Sequence, residues 1–354
     1  MHGKKRSEYK AKLHDSKTAE ILSGKAEQWH QLVRELARRR PDKDQEKAEM
    51  TMALLEKALL VNPDPLNLWN HRREWILLLD GKTTETMESE LALTQAALQR
   101  NPKAYGAWMH RKWILQHAQA PSKVLHCELA LTAQFLKLDE RNFHCWNYRR
   151  FVVGCLADAE TGTGSYSGRW SNPDMGIQLV NTAGRTPADS LDTDYQSVPF
   201  SFLQAEWDFT TEKIQDNFSN FSAFYYRSQL LPRYVEMSED AINIWLGEFQ
   251  LIENAVCTEP DDQTAWWYQA LLLSSDDALF PLEDLQDRLV EQADLLRELL
   301  EDSLNSKWVL LGLHRLLDKL QMNRDEQIQI LTKLQQVDPD RAQRYQELLD
   351  QTAG

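Results

Sequence analysis

The chain contains 354 residues, of which 42% are hydrophobic and 27% are charged, and its formal net charge is −14. These proportions are ordinary for a folded globular protein, and they exclude wholesale disorder, collagen and a membrane bundle. The negative charge argues against nonspecific binding to nucleic acid and favours basic partners.

The N-terminal segment, residues 1–43, is predicted to contain a basic stretch followed by a leading helix. Its first residues include the cationic side chains Lys4, Lys5, Arg6, Lys10 and Lys12, for which solvent is the default environment. The segment lacks the apolar core of a signal peptide, and no run of 18 apolar residues occurs in the sequence. We therefore expect a cytoplasmic protein with no membrane span.

Tryptophans define an internal repeat. The chain has twelve tryptophans but only 13 glycines and 12 prolines. So few turn-forming residues predict a mostly helical chain. Trp69, Trp108 and Trp146 follow one another at spacings of 39 and 38 residues. Aromatics at repeat spacing are far more often core residues than ligand contacts, which assigns these side chains to packing between repeats. The register continues through Phe224, Trp266 and Trp308.

Charged residues recur at fixed distances from the repeat aromatic residues. Three residues after the aromatic, four repeats have an arginine: Arg72, Arg111, Arg149 and Arg227. In the last two repeats Gln269 and Leu311 take this place. Eighteen residues before the aromatic, four repeats have a glutamate: Glu90, Glu128, Glu206 and Glu248. Because an unpaired buried guanidinium is costly, we hypothesise that these glutamates pair with the arginines, within or between repeats.

Each repeat is predicted to be a helical hairpin of about 38 to 42 residues. In the second repeat Met87, Leu91 and Leu98 lie on one helix face, and the Asn-Pro pair that follows ends the helix. A second helix is expected over residues 104–116. One hairpin cannot bury its apolar stripe alone, so the sequence predicts an all-α fold, an α-α superhelix of stacked hairpins.

The repeats form two blocks around an insertion. Repeats 1 to 3 are predicted over residues 44–157, and repeats 4 to 6 over residues 201–320. Between them, residues 158–200 are rich in Gly, Ser and Pro, which favours an inserted loop over a further hairpin that lacks its aromatic residue. Residues 321–354 predict two capping helices separated by a Val-Asp-Pro break.

The four cysteines, Cys127, Cys145, Cys155 and Cys257, are far apart and form no Cys-x-x-Cys word. They predict neither a disulfide framework nor a zinc site contained in this chain alone. No cofactor is therefore expected in this chain itself.

The repeat words resemble those of protein prenyltransferase α subunits. The similarity is carried by NPKAYGAWMHR at residues 101–111, DERNFHCWNYRRF at 139–151, NFSNFSAFYYRSQLLP at 217–232 and DDQTAWWY at 261–268. It extends over roughly residues 44–275. Tetratricopeptide repeats are shorter and have a different sequence motif.

Within that family, the Met-His-Gly start and the words DERNFHCW and NFSNFS are similar to the type II branch, Rab geranylgeranyltransferase. The length is that expected of its compact form, without immunoglobulin-like and leucine-rich domains. The resemblance implies transfer of geranylgeranyl from geranylgeranyl diphosphate to C-terminal cysteines of Rab GTPases, which a Rab escort protein presents. It also implies a heterodimer whose β subunit holds the zinc ion, so that the α chain alone is inactive.

The same resemblance implies the site residues. Lys103 matches the family position whose ammonium approaches the lipid diphosphate, with Tyr105 beside it. Asn142 and His144 match neighbouring positions that donate hydrogen bonds near the same anion, and Lys103 and His144 are the expected catalytic residues. A preplaced cation stabilises the charge that develops on the leaving diphosphate. The alternatives are a solvated lysine and a histidine that serves packing alone.

His2 is implied as a possible ligand to the zinc of the β subunit, since a neutral imidazole binds zinc and a substrate thiolate displaces it. The alternative is a disordered terminal residue.

Two other interpretations of the chain stay open. It could be the α subunit shared by farnesyltransferase and geranylgeranyltransferase type I, but the Met-His-Gly start and Phe143, where those subunits usually carry tyrosine, speak against this. It could also be a noncatalytic helical-repeat scaffold, which the presence of Lys103, Tyr105, Asn142 and His144 disfavours.

Overall fold

The computed structural model describes residues 16–39, 45–79, 83–161, 199–275, 280–302 and 305–353. These residues form fifteen α-helices and one short 3-10 turn, and they contain no β-strand. The all-α class predicted from the sequence is thereby confirmed. The basic N-terminal stretch with His2, and residues 162–198 of the predicted insertion, lie outside the described residues.

The helices of each hairpin are joined by short loops. The leading helix is α1 (Ser16–Arg38), and the first three hairpins are α2 (Gln45–Val61) with α3 (Leu66–Leu78), α4 (Thr84–Arg100) with α5 (Tyr105–His117), and α6 (Ser122–Leu138) with α7 (Phe143–Thr161). The next three are α8 (Phe200–Asp216) with α9 (Phe221–Met237), α10 (Ala241–Thr258) with α11 (Gln263–Leu273), and α12 (Leu282–Asp302) with α13 (Lys307–Lys319). The chain continues through α14 (Arg324–Val337), the 3-10 turn Pro339–Arg341 and α15 (Ala342–Ala353).

Short polar side chains set the starts of several helices. Thr83 accepts a hydrogen bond from the Thr86 backbone N–H at the start of α4, and Asn220 and Asp240 make the corresponding contacts for α9 and α10. Such caps satisfy N–H groups that have no partner within the helix. The loops between helices are therefore fixed at their helical ends.

The chain divides into two compact units. The first comprises Met1–Phe135 and Asn147–Val152, and the second comprises Leu136–Trp146 and Val153–Gly354. Within the first unit the first helices α2 and α4 contact each other, as do the second helices α3 and α5. Within the second unit α10 contacts α12, and α9, α11 and α13 contact one another in succession. Both units thus stack hairpins with like helices side by side, as expected for repeats that share one packing face.

The repeat aromatic is a wedge between neighbouring second helices. Trp69 of α3 is fully buried, and a Cβ atom added to Gly106 of α5 would lie 2.5 Å from the Trp69 indole Cδ1. Trp266 of α11 has the same relation to Gly312 of α13, where the added Cβ would lie 2.2 Å from Cζ3. At these two junctions the indole occupies the space where a side chain would begin, so the facing position must be glycine.

We predict that Gly106→Ala destabilises the chain by about 1–3 kcal/mol, because the new methyl group overpacks against Trp69. Gly247→Ala is the matched control: Gly247 also lies within a helix, but nothing lies within 4 Å of its added Cβ. That control should be about 1 kcal/mol more stable than wild type, since alanine favours the helix. Denaturant unfolding of the full chain measures both, and a neutral or stabilising Gly106→Ala would refute the wedge.

Candidate functional site

Buried ion pairs join consecutive repeats at three junctions. Arg72 on α3 donates from Nε to both carboxylate oxygens of Glu90 on α4, at 2.9 and 2.7 Å. Arg111 on α5 donates from Nε and Nη2 to Glu128 on α6, at 2.6 and 2.7 Å. In the second unit Arg227 on α9 makes the same two-pronged contact with Glu248 on α10, at 2.8 and 2.6 Å. The hypothesised pairing is confirmed for these three pairs, and it runs between repeats rather than within them.

The same arginines also hold the first helix of their own repeat. In the second repeat Nη1 of Arg111 donates to the Leu91 carbonyl and to the Thr94 hydroxyl, at 2.6 and 2.7 Å. Arg149 and Arg227 each contact a carbonyl and a threonine in the same way. One guanidinium therefore links three helices, which satisfies most of its donors in the buried interior. The pairing expected between Arg149 and Glu206 stays a prediction.

A third side chain completes each cluster. Two residues after the repeat aromatic, Tyr148, Tyr226 and Tyr268 donate hydroxyl hydrogen bonds to Glu128, Glu206 and Glu248 respectively. Burial and the neighbouring carboxylate raise the pKa of Tyr148 and Tyr268 well above the usual value, so both phenols keep their protons. Glu128 and Glu248 thus each receive a neutral donor as well as a charged one.

His110 takes the place of the tyrosine in the second repeat. Its Nε2 lies 2.8 Å from the Glu90 carboxylate, and its Nδ1 accepts a hydrogen bond from Arg73 Nε at 3.3 Å. An accepting Nδ1 places the ring proton on Nε2, so that the neutral imidazole donates to Glu90. Burial lowers the pKa of His110 below its usual value, which agrees with a neutral ring. Burial alone would raise the pKa of Glu90, but hydrogen bonds from His110 and Arg72 together hold it below the usual range.

At the junction of repeats five and six the corresponding contact is made by uncharged side chains. Gln269 occupies the arginine position, and its Nε2 lies 3.4 Å from Oε1 of Gln292 on α12. Gln292 in turn donates to the Phe249 carbonyl at 3.3 Å. Replacing both partners keeps a hydrogen bond there and avoids an uncompensated buried charge.

Indole hydrogen bonds fix the loops between the helices of a hairpin. Trp69 and Trp108 donate from Nε1 to the Pro63 and Pro102 carbonyls, each at 2.8 Å. Trp146 and Trp266 do the same for the carbonyls of Glu140 and Pro260, at 2.7 and 2.8 Å. The buried wedge thus anchors the loop that leads into its own helix. The loops preceding the second helices, which we call the loop edge, comprise residues 62–65, 101–104, 139–142, 217–220, 259–262 and 305–306.

Neighbouring loops of the loop edge are also bonded to each other within each unit. In the first unit Asn101 Nδ2 donates to Asp64 at 2.9 Å. In the second unit Asn217 Nδ2 donates to Glu140 at 2.6 Å, and the Ser219 hydroxyl lies 2.7 Å from Glu259. The loop edge is therefore a fixed surface in each unit and not a set of independent turns.

Lys103 and Tyr105 lie on the loop edge of the first unit. Lys103 follows the anchored carbonyl of Pro102, and its backbone N–H donates to Asn101 Oδ1 at 3.1 Å. Its side chain is exposed, and Tyr105, the first residue of α5, is 55% exposed. The structure thus places both predicted residues side by side at the surface, on backbone held by two hydrogen bonds.

Asn142 and His144 lie on the loop edge of the second unit. Asn142 is buried, and its Oδ1 accepts from the backbone N–H groups of His144 and Cys145, at 3.1 and 3.3 Å. It therefore caps α7, a structural role that the sequence did not assign to it. His144 is half-buried beside Phe143, with ring centroids 3.9 Å apart. The diphosphate contacts of both residues stay predictions.

An exposed apolar residue begins the second helix in four hairpins, a feature that the sequence analysis missed. In the first unit these residues are Leu66 and Tyr105, which are 42% and 55% exposed. In the second unit they are Phe143 and Phe221, which are 60% and 43% exposed. All four stand three residues before the repeat aromatic, so the repeat register could have revealed them. Large apolar side chains that recur at exposed helix starts indicate an interaction surface in each unit.

No group of three or more His, Cys, Asp or Glu side chains that could hold a metal ion occurs among the described residues. None of the helices in the described part of the chain has the length and apolarity needed to cross a membrane.

Comparison with known proteins identifies the repeat. The family described as "Protein prenyltransferase alpha subunit repeat" matches residues 87–118, 125–156 and 203–234, which fall on α4–α5, α6–α7 and α8–α9. The chain is also 29% identical over 368 residues to the geranylgeranyl transferase type-2 subunit alpha of Saccharomyces cerevisiae, and the match covers 99% of both chains. Residues 87–118, 125–156 and 203–234 are therefore repeats of the protein prenyltransferase α-subunit type.

Other relatives are also named geranylgeranyl transferase type-2 subunit alpha. The geranylgeranyl transferase type-2 subunit alpha of Rattus norvegicus is 32% identical over 236 residues, which is 64% of this chain. The matched part is 34% of the rat protein, so the chain spans about a third of the length of that relative. The protein of that name from Candida albicans is 26% identical over 348 residues, with 84% of this chain and 83% of the relative covered.

We predict that His110 makes the stability of the chain dependent on pH. As the pH falls below about 6.5 the unfolded histidine binds a proton, whereas the buried one, with its lowered pKa, does not. The folded state therefore loses stability, by about 1 kcal/mol between pH 7.5 and 5.5. In His110→Tyr, which copies the residue of the third, fourth and fifth repeats, this loss should disappear.

Denaturant unfolding at the two pH values measures the difference between the two proteins. Contributions from other groups, such as His314, are shared by both and cancel. Tyr148→His is the reciprocal variant and should gain pH dependence. Equal pH dependence of wild type and His110→Tyr would show that His110 is not the source.

Proposed function

We propose that this chain is the α subunit of a cytoplasmic, heterodimeric Rab geranylgeranyltransferase. The observation that carries the proposal is the loop edge, where exposed apolar residues recur at the starts of second helices beside Lys103. The names of the yeast, Candida and rat relatives support the type II assignment. The partners would be a prenyltransferase β subunit, a Rab escort protein and Rab GTPases, with geranylgeranyl diphosphate as the lipid donor.

The proposed reaction forms a thioether. The sulfur of a C-terminal Rab cysteine bonds to C1 of the geranylgeranyl group while the bond from C1 to the diphosphate oxygen breaks, and the diphosphate leaves with the electron pair. Negative charge on the diphosphate grows as that bond breaks. An ammonium already in place stabilises this growing charge more than it stabilises the bound substrate, which lowers the barrier.

Lys103 is suited to that task by its setting. Its backbone is held by the Asn101 side chain, and the carbonyl before it is held by Trp108. Because the backbone does not have to be ordered when substrate binds, the ammonium can be presented to a bound anion at a smaller entropic cost. Tyr105 lies two residues further on, and its exposed hydroxyl can donate to the same anion. Asn142 and His144 are proposed to approach the diphosphate from the loop of the next repeat.

Zinc is proposed to reside in the β subunit, where it would bind and activate the cysteine thiolate. His2 of this chain is proposed to reach that zinc as a displaceable ligand. An intact heterodimer would then be required for the reaction.

Co-expression with a β subunit tests the proposed function. A β chain should co-purify with stoichiometric zinc, and the complex should transfer geranylgeranyl to a Rab protein only when the escort protein is present. Prenylation of an isolated CaaX peptide, without activity on Rab plus escort protein, would instead favour the α subunit shared by farnesyltransferase and geranylgeranyltransferase type I. Failure to bind any β subunit would favour a scaffold.

We predict that Phe143→Gln weakens the heterodimer. Phe143 is 60% exposed in this chain, so its loss should leave the stability of the free chain nearly unchanged. Burying a large apolar side chain at an interface contributes about 1.5–3 kcal/mol, so the dissociation constant should rise about tenfold or more. Leu77→Gln is the control, because Leu77 is 56% exposed at the opposite end of its helix, and it should bind the β subunit like wild type.

Titration of labelled β subunit measures these affinities. Equal affinities of Phe143→Gln and wild type would remove the loop edge around Phe143 from the interface.

We also predict that Lys103→Ala lowers kcat of the heterodimer about 100-fold, because the charge on the leaving diphosphate loses its preplaced cation. Lys103→Arg should recover part of the activity. Lys123 is an exposed lysine near the start of a first helix, away from the loop edge, and Lys123→Ala should retain full activity. Single-turnover transfer rates separate the chemical step from binding, and an unchanged rate for Lys103→Ala would contradict the assigned role.

A further inference from the structure

A cavity of about 320 Å³ lies at the C-terminal end of the second unit. It is formed by α13, the 3-10 turn and α15. Three arginines line it, Arg315, Arg341 and Arg344, against one carboxylate, Asp318. Such a basic lining is unexpected in a chain whose net charge is −14.

Two of these arginines are not neutralised by a neighbouring carboxylate. Arg341 is paired with Asp338 at 2.7 Å, but among the residues that the structure describes Arg315 donates only to the Trp266 carbonyl, at 3.2 Å. Within the described residues Arg344 has neither an ion pair nor a hydrogen bond. Burial and the charge of Arg344 lower the pKa of Arg315. Two guanidinium groups that disfavour each other line one cavity, and an anion between them would relieve the repulsion.

His314 gives a second, independent indication of a ligand. It lines the cavity and is only 6% exposed, yet within the described part of the chain its Nε2 has no hydrogen-bond partner. Burial lowers the pKa of His314, so the ring is neutral at pH 7 and can donate one N–H to an oxygen in the cavity. A buried polar atom without a partner is costly, and a ligand oxygen would remove that cost.

The remaining wall is apolar and aromatic. It is formed by Trp308, Leu311 and Leu348. Trp308 is the sixth repeat aromatic, and it is half-buried whereas Trp69 and Trp266 are fully buried. Its indole lines the cavity, with Lys307 Nζ and the Arg341 guanidinium carbon 5.2 and 6.0 Å from the ring centroid, so the aromatic wall is flanked by cations.

We propose that this cavity binds a small organic oxyanion, a phosphate or carboxylate group carried on an aromatic or apolar body. The oxyanion would lie between Arg315 and Arg344, where two guanidinium groups can donate to it. The body of the ligand would lie against Trp308, and a volume of about 320 Å³ suits a molecule of one ring. The proposal is independent of the transferase function, because none of Lys103, Tyr105, Asn142 and His144 lines the cavity.

Isothermal titration of the full chain with four simple probes tests this site. Phenyl phosphate and benzoate carry an oxyanion on a ring, inorganic phosphate carries the anion alone, and phenol carries the ring alone. One of the two ring-bearing anions should bind at least about tenfold more tightly than inorganic phosphate or phenol. Preference for phenyl phosphate or for benzoate identifies the oxyanion as phosphate or carboxylate.

Three variants locate the binding. Arg344 is exposed, so Arg344→Gln should fold normally and bind the preferred probe about tenfold more weakly. Arg100→Gln changes an exposed arginine of the first unit and should bind like wild type. His314→Phe removes the unpartnered nitrogen, so it should melt at an equal or higher temperature while binding the probe more weakly. Absence of binding by either ring-bearing anion, or equal binding by Arg344→Gln and wild type, would overturn the proposal.

Discussion

The structure depends on carboxylates buried between repeats. Glu90, Glu128 and Glu248 each accept two hydrogen bonds from an arginine of the preceding repeat and one from a tyrosine or histidine of their own. Removing one partner of such a pair leaves a buried charge uncompensated, which costs about 3–5 kcal/mol. The ion pairs therefore determine how the hairpins stack more than they add stability. A hairpin stacked out of register would bury these charges without their partners. The double replacement at Gln269 and Gln292 fits this constraint, because both partners are neutral there.

The sequence predicted the repeat because packing imposes a period. Aromatic, arginine and glutamate recur together, and their spacing located the hairpins and suggested the ion pairs. It could not decide between pairing within and between repeats, since residues 17 to 21 apart along the chain can meet in either arrangement. Lys103 and His144 carry no periodic signal and were predicted only by resemblance. The cavity beside α15 could not be predicted, because Arg315 and Arg344 come together only through the packing of two helices.

The same repeat register determines which side chains are buried and which are exposed. Positions that follow the loop point the aromatic and the arginine inward, and the residue three places before the aromatic begins the second helix at the surface. Leu66, Tyr105, Phe143 and Phe221 are exposed for this reason. The indole hydrogen bonds connect the two roles, because the side chain that fills the interior also holds the loop that displays Lys103. A loop held in this way has less freedom to lose when a partner or an anion binds.

At the C-terminal end of the array the pairing of buried charges between repeats no longer applies. Trp308 stands in the wedge register, but the helices after it do not continue the repeat: Arg324–Val337 is followed by a 3-10 turn and a short last helix. The indole is consequently half-buried, and the arginines near it have no glutamate of a following repeat to pair with. Arg72, Arg111 and Arg227 each pair with a glutamate, whereas Arg315 bonds only to a carbonyl among the described residues and lines one cavity together with Arg344, so this cluster departs from the pairing of the repeats. A fold that controls its buried charges this closely leaves such a cluster only where something else can neutralise it, and that argues for a ligand over a defect of packing.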